Sequence, residues 1–182
     1  MGVRLTSMRI LLCLLLVLAG CSQPPAAEHK EGSGHVVLKP APGNYAPTIR
    51  QLVYVPAYSA IYWGFDEQVA ELAITLSIRN VNPQDAIVIH SAKYFDTDGK
   101  EIRNFVGSAS LLGPLATADF VIPRADTTGG PGANFLVEWS SANDVDEPVI
   151  EAVMTGQHGN AGVSFTGVGR ALPKASAKLP TR

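Results

Sequence analysis

Cysteine is nearly absent from this chain of 182 residues: there are two, Cys13 and Cys21, and none after position 21. A domain built from the rest of the chain has no disulfide, no cysteine nucleophile and no thiolate metal site, so its stability must come from a packed core. Charge is also scarce, at 16% of residues, with 14 basic against 16 acidic and a net charge of −2. Lys and Arg form no cluster, which excludes nucleic acid, because displacing its counterions needs concentrated positive charge. No apolar run is long enough to cross a bilayer. The longest, Ile10 to Leu18, is about half of the ~20 residues that a spanning helix needs.

That run nevertheless carries information. Arg4 and Arg9 precede it and the small residues Ala19 and Gly20 follow it, the layout of a secretory signal peptide over residues 1–20. Leu18-Ala19-Gly20-Cys21 resembles the bacterial lipobox, in which the cysteine is acylated and becomes the new first residue. The expectation is a membrane anchor through acyl chains, palmitate among them, on Cys21, since two or more chains hold a protein stably where one does so only marginally. Ser22 rather than aspartate after the lipidated cysteine implies, for a Gram-negative cell, the outer membrane facing the periplasm. Removing Arg4 and Arg9 reduces 14 basic residues to 12 against 16 acidic, leaving the mature chain at about −4.

Residues 21–48 are rich in Pro, Ala, Gly and small polar types, a flexible linker composition in which Val36-Val37-Leu38 offers one short edge strand. Residues 49–172 have single-domain length and a dominant period of two. Ala70, Leu72, Ile74, Leu76 and Ile78 alternate with Glu71, Ala73, Thr75, Ser77 and Arg79, the pattern of a half-buried strand. Asn80-Val81-Asn82-Pro83 ends it with turn chemistry. Further strands are expected over 52–55, 86–95, 102–106, 116–122, 134–139, 149–155 and 162–172, with Asp98-Gly99 closing a tight turn in positive φ. Seven or eight short strands without a long helix predict an all-β fold, an immunoglobulin-like antiparallel β-sandwich lacking the cysteine pair. Residues 173–182 read as a disordered tail.

Several blocks together, YVPAYSAIYWG from Tyr54, LAITLSIRN from Leu72, KYFDTDGKEIR from Lys93 and PLATADFVIPRADTTGGPGANFLVEW from Pro114, resemble the bacterial lipoproteins grouped as domain of unknown function 3124. The similarity covers Leu52 to Arg170. It implies a small envelope protein without an assigned activity and supplies no catalytic residues.

Three groups of residues invite chemistry. Asp96, Asp98 and Glu101 suggest calcium, yet aligning Asp98-Gly99 with the bend of an EF-hand loop puts Tyr94 and Phe105 at the terminal ligand positions, and a hairpin in which Asp96 bonds the turn backbone fits better. The loop Gly129-Gly130-Pro131-Gly132 before Asn134 could present backbone amides to a partner, but a strand follows where a phosphate loop needs a helix. The rings of Tyr54, Tyr58, Tyr62, Trp63 and Phe65 offer either core packing or a stacking platform, with Tyr58, Tyr62 and Trp63 as its contacts. Of the histidines, His90 is expected to be a satisfied sheet residue, since Ser91 beside it points to the opposite face. His29, His35 and His158 show no ligand spacing, so no metal or cofactor is expected. The functional expectation is a non-enzymatic, lipid-anchored envelope module with an envelope protein as partner, docked at a strand edge or at Gly129, Gly130, Gly132 and Asn134. The alternatives are a small-ligand or glycan binder and, behind it, a hydrolase.

Overall fold

The computed structural model of the chain describes residues 38–64, 68–176 and 178. The signal peptide, Cys21, His29, His35, Val36, Val37 and Phe65 lie outside them. Among the described residues there are twelve strands: β1 (Lys39–Pro40), β2 (Ile49–Pro56), β3 (Ala60–Trp63), β4 (Gln68–Arg79), β5 (Ile87–Phe95), β6 (Glu101–Asn104), β7 (Ser110–Leu112), β8 (Thr117–Ile122), β9 (Asn134–Ser141), β10 (Val149–His158), β11 (Ala161–Val168) and β12 (Arg170–Ala171). A helical turn, α1 (Pro173–Ser176), follows them.

The strands form two antiparallel sheets. The seven-stranded sheet runs β1-β7-β5-β9-β2-β12, with β6 also on β5, and the five-stranded sheet runs β11-β10-β4-β3, with β8 also on β4. This is the disulfide-free antiparallel sandwich that the period-two pattern predicts. Each expected strand has a counterpart, and the additional ones, β1, β3, β7 and β12, span only two to four residues. Segments that short show too little alternation to be read from sequence.

The alternation decides which side chains meet between the sheets. Leu72, Ile74, Leu76 and Ile78 of β4 are fully buried, as are Phe135, Val137 and Trp139 of β9. Full burial of such side chains contributes roughly 1.5–3 kcal/mol each. Phe105, just after β6, joins the layers: its ring centroid lies 5.3 Å from that of Phe120 on β8 and 6.4 Å from that of Phe135. The indole N–H of Trp139 donates to the Gln51 side-chain amide oxygen, Oε1, at 2.9 Å, so the largest core ring leaves no orphan donor.

The expected strand 162–172 divides at Gly169. Before it β11 pairs with β10, and after it β12 pairs with β2, so the chain crosses from the smaller sheet to the larger one. A Cβ on Gly169 would sit 2.5 Å from the Ile150 carbonyl oxygen. Only glycine permits that approach.

The described residues at both flanks of the domain bond to it. At the end of the expected linker, β1 pairs with β7 and Thr48 donates from Oγ1 to the Ala142 carbonyl at 2.7 Å. In the expected disordered tail, α1 is held by Ser176 Oγ, which accepts from Leu52 N at 2.9 Å and donates to the Leu172 carbonyl at 2.8 Å. A single serine supplies what the composition could not show: a partner for the free backbone of β2.

Candidate functional site

The Asp96 hairpin forms with the chemistry expected of it. Asp96 Oδ1 accepts from Asp98 N at 3.0 Å and Lys100 N at 2.8 Å, so its carboxylate is occupied by the turn. Positive φ is confined to Gly99, at +79°, and does not extend to Asp98. Among the described residues no three His, Cys, Asp or Glu side chains come together in a group that could hold a metal ion.

The glycine loop is clamped from two sides. Gly130–Gly132 make a 3₁₀ turn. Thr97 on the β5–β6 hairpin binds it with three hydrogen bonds, from its N and Oγ1 to the Gly129 carbonyl and from Gly132 N to its Oγ1, all at 3.0 Å. From the other side Ser59 N donates to the Gly130 carbonyl at 3.1 Å. Gly129 is buried against Tyr94, and Gly132 is exposed. Asn134 is half-buried at the start of β9, opposite Pro56 and Phe95. Tyr94 itself has its hydroxyl buried without a hydrogen-bond partner. Burial pushes its phenol up to about 12, with Asp126 adding to the rise and Arg103 opposing it.

The aromatic residues do not share one surface. Tyr58 packs edge-on against Phe165, with centroids 5.6 Å apart, and Trp63 is half-buried beside His158, also at 5.6 Å. His158 stands at the end of β10. Tyr62 points to the other face of β3 and is 69% exposed, next to its direct cross-strand partner Val69, 52% exposed. Pro131 of the glycine turn borders the same spot, where a shallow depression of about 50 Å³ is lined by Ala60, Ile61, Tyr62, Val69 and Pro131. The fold thus brings one ring and one proline from two separate sequence candidates together. They meet at the last strand on one side of the smaller sheet.

A second cluster was invisible in the sequence. Between Ile89 and Ser91 the β5–β9 register shifts, and the bulge takes His90 out of the pairing. His90 Nε2 then lies 2.7 Å from Ser140 Oγ, and Tyr45 Oη lies 3.0 Å from the same oxygen. Arg50 and Glu138 form an ion pair alongside. Ser140 is fully buried although it sits on the outward-facing side of β9. Alternation marks it as outward, and His90 of β5 and Tyr45 from the preceding segment meet it there.

Burial lowers the His90 pKa below 6.5; Arg50 lowers it further and Glu138 opposes. A histidine whose folded pKa is depressed contributes stability in full above its unfolded value, and loses it as pH falls from there through the folded one. The urea midpoint is therefore expected to drop between pH 7.5 and pH 5.5, and His90→Gln to flatten that dependence. An equal drop in the variant would contradict this assignment.

These features define an antiparallel β-sandwich domain with an apolar patch at a sheet edge and a covered Ser-His-Tyr cluster on its other sheet. The chain belongs to the family described as Protein of unknown function (DUF3124), whose model matches residues 50–172. The crystal structure of the Thermotoga maritima protein 1070 is similar at 12% identity and a TM-score of 0.38, over 70% of this chain and 95% of that one. No curated protein matches the sequence.

Proposed function

We propose that this protein is a lipid-anchored component of the cell envelope, tethered through acyl chains on Cys21, whose sandwich is a non-enzymatic interaction module. In a Gram-negative cell its place would be the outer membrane, facing the periplasm. Its partner is an envelope protein that docks on the free side of β3. The observation that carries this reading is the exposed pair Tyr62 and Val69, beside Pro131, on a strand whose only strand partner among the described residues is β4. An open strand edge offers unpaired backbone groups to an incoming strand. A large exposed ring next to a β-branched residue supplies the apolar anchor that such docking needs.

The covered state of Ser140 supports the non-enzymatic side of the proposal, because a nucleophile must reach its substrate. The packing of Tyr58 and Trp63 weighs against a three-ring platform for glycans. A specific observation favours β11 as a second docking edge: all eight residues, AGVSFTGV, are uncharged, and Val168 is 70% exposed. Protein edges ordinarily carry charges or bulges that discourage pairing.

The test is site-specific photocrosslinking in the native envelope. A photoreactive residue at Tyr62 is expected to capture one reproducible protein, with the yield falling at least tenfold when Val69 is changed to Lys. Capture from Ser164 and not from Tyr62 would move the site to β11. No protein captured from either position would overturn the interaction reading, and a Cys21→Ser chain still bound to membranes would overturn the anchor.

A further inference from the structure

Beyond β12 the larger sheet ends in a groove unrelated to the β3 edge. It has a volume of about 550 Å³ and is lined chiefly by Tyr54, Arg170, Ala171, Leu172, Lys174 and Ala175. That volume falls within the range of small-molecule sites. One wall is the sheet: Arg170 pairs in register with Tyr54, so the two side chains stand on the same face. The other wall is α1, and it is pinned. Leu172 N donates to the Leu52 carbonyl at 2.8 Å, while Ser176 Oγ bridges Leu52 N and the Leu172 carbonyl. The α1 wall is therefore tied to β2 at Leu52 by hydrogen bonds rather than being a loose tail.

Its chemistry is divided. Tyr54, 37% exposed, and the half-buried Ala171, Leu172 and Ala175 give an apolar floor. Arg170 and Lys174 are exposed, and among the described residues neither has an ion-pair partner. Carboxylates are available elsewhere on this acidic chain, where Arg50, Arg79, Lys93, Arg103 and Arg124 are each paired with one. Two unpaired cations flanking an apolar trough fit a ligand with one anionic head and one hydrocarbon tail.

We propose that this groove binds a single-chain anionic amphiphile, its carboxylate or phosphate held by Arg170 and Lys174 and its alkyl chain lying along Tyr54 and Leu172. A fatty acid and a lysophospholipid present the same chemistry from two sources.

The test uses the full chain and a decanoate analogue carrying a photoreactive diazirine, kept below its micelle concentration. Saturable labelling is expected at Tyr54 or within residues 170–175, with affinity rising about fourfold for each methylene added to the chain, the ratio that burial of one methylene implies. Unlabelled decanoate or lysophosphatidylglycerol should compete, and the stronger of the two identifies the source. Decanol should compete at least tenfold less well. The double variant Arg170→Gln/Lys174→Gln changes two exposed side chains, so it should melt like the parent and bind at least tenfold more weakly. Ala171→Trp should block labelling with both charges intact, and if it does not fold the charge variant decides alone. Labelling elsewhere, equal competition by decanol, or unchanged binding in the double variant would overturn the proposal.

Discussion

Replacing Asn80 by alanine is expected to destabilise the domain by about 3 kcal/mol, the scale set by leaving more than one buried polar group unpaired. Asn80 is 2% exposed, at the end of β4. Its side-chain amide nitrogen lies 2.8 Å from the Asp85 carbonyl, 2.9 Å from that of Gly113 and 3.3 Å from that of Leu112. Its Oδ1 accepts from the backbone N and the Nδ2 of Asn82, both at 3.0 Å. Asn82 in turn donates to the Asp146 carbonyl at 3.1 Å and accepts from Asp146 N at 3.0 Å. Two asparagines separated by one residue thus tie three loops to the end of the core strand. Alanine at position 80 would strip partners from carbonyls that water reaches poorly, whereas alanine at the surface residue Asn143 should change stability by less than about 0.5 kcal/mol. Urea unfolding at pH 7.5 with an unchanged denaturant slope is the measurement, and a loss below 1 kcal/mol for Asn80→Ala would show that the loops relax to re-pair their carbonyls.

Gly129→Ala is expected to cost about 2–3 kcal/mol by overpacking. The added Cβ would stand 1.9 Å from Tyr94 Oη, 2.7 Å from its Cζ and 2.8 Å from the Ala133 Cβ. Tyr94 is a fully buried core ring, 4.9 Å by centroid from Phe135, and cannot swing aside. Its hydroxyl is also the group without a partner, so Tyr94→Phe alone should leave stability unchanged or raise it by about 1 kcal/mol. In the Tyr94→Phe background the Gly129→Ala penalty should shrink by about 1 kcal/mol, because the nearest clashing atom is gone. Additive effects would mean that the strain lies in the backbone turn instead. The same pair separates structure from recognition. If Gly129→Ala lost partner capture from Tyr62 without losing stability, the glycine would belong to the docking surface.

Much of the fold was legible because a strand with one buried face writes its orientation into every second residue. β4 and β9 are the clear cases: Leu72 to Ile78 and Phe135 to Trp139 point inward as their alternation requires. The Asp96 hairpin was legible for a different reason, since an aspartate three residues before Gly99 bonds the turn locally and needs nothing from the rest of the chain. Tyr62 and the glycine loop were both visible as candidates, but not their convergence. Their contact joins β3 to a turn separated from it by five intervening strands. The Ser140 cluster depends on a one-residue register shift at His90 and on a distant tyrosine, Tyr45. The groove at Arg170 depends on Ser176 reaching back to Leu52.

By itself the amino-acid sequence determined the class of the domain, its longer strands, its want of a disulfide and the hairpin chemistry of Asp96, all of which follow from side-chain period, composition and bonds within a few residues. The tertiary structure alone decided which polar groups became buried, which rings were used up in packing and which strand edges stayed open. Those outcomes are set by contacts between segments far apart in the chain, where a single hydrogen bond or a missing Cβ selects the arrangement, and no local pattern encodes them.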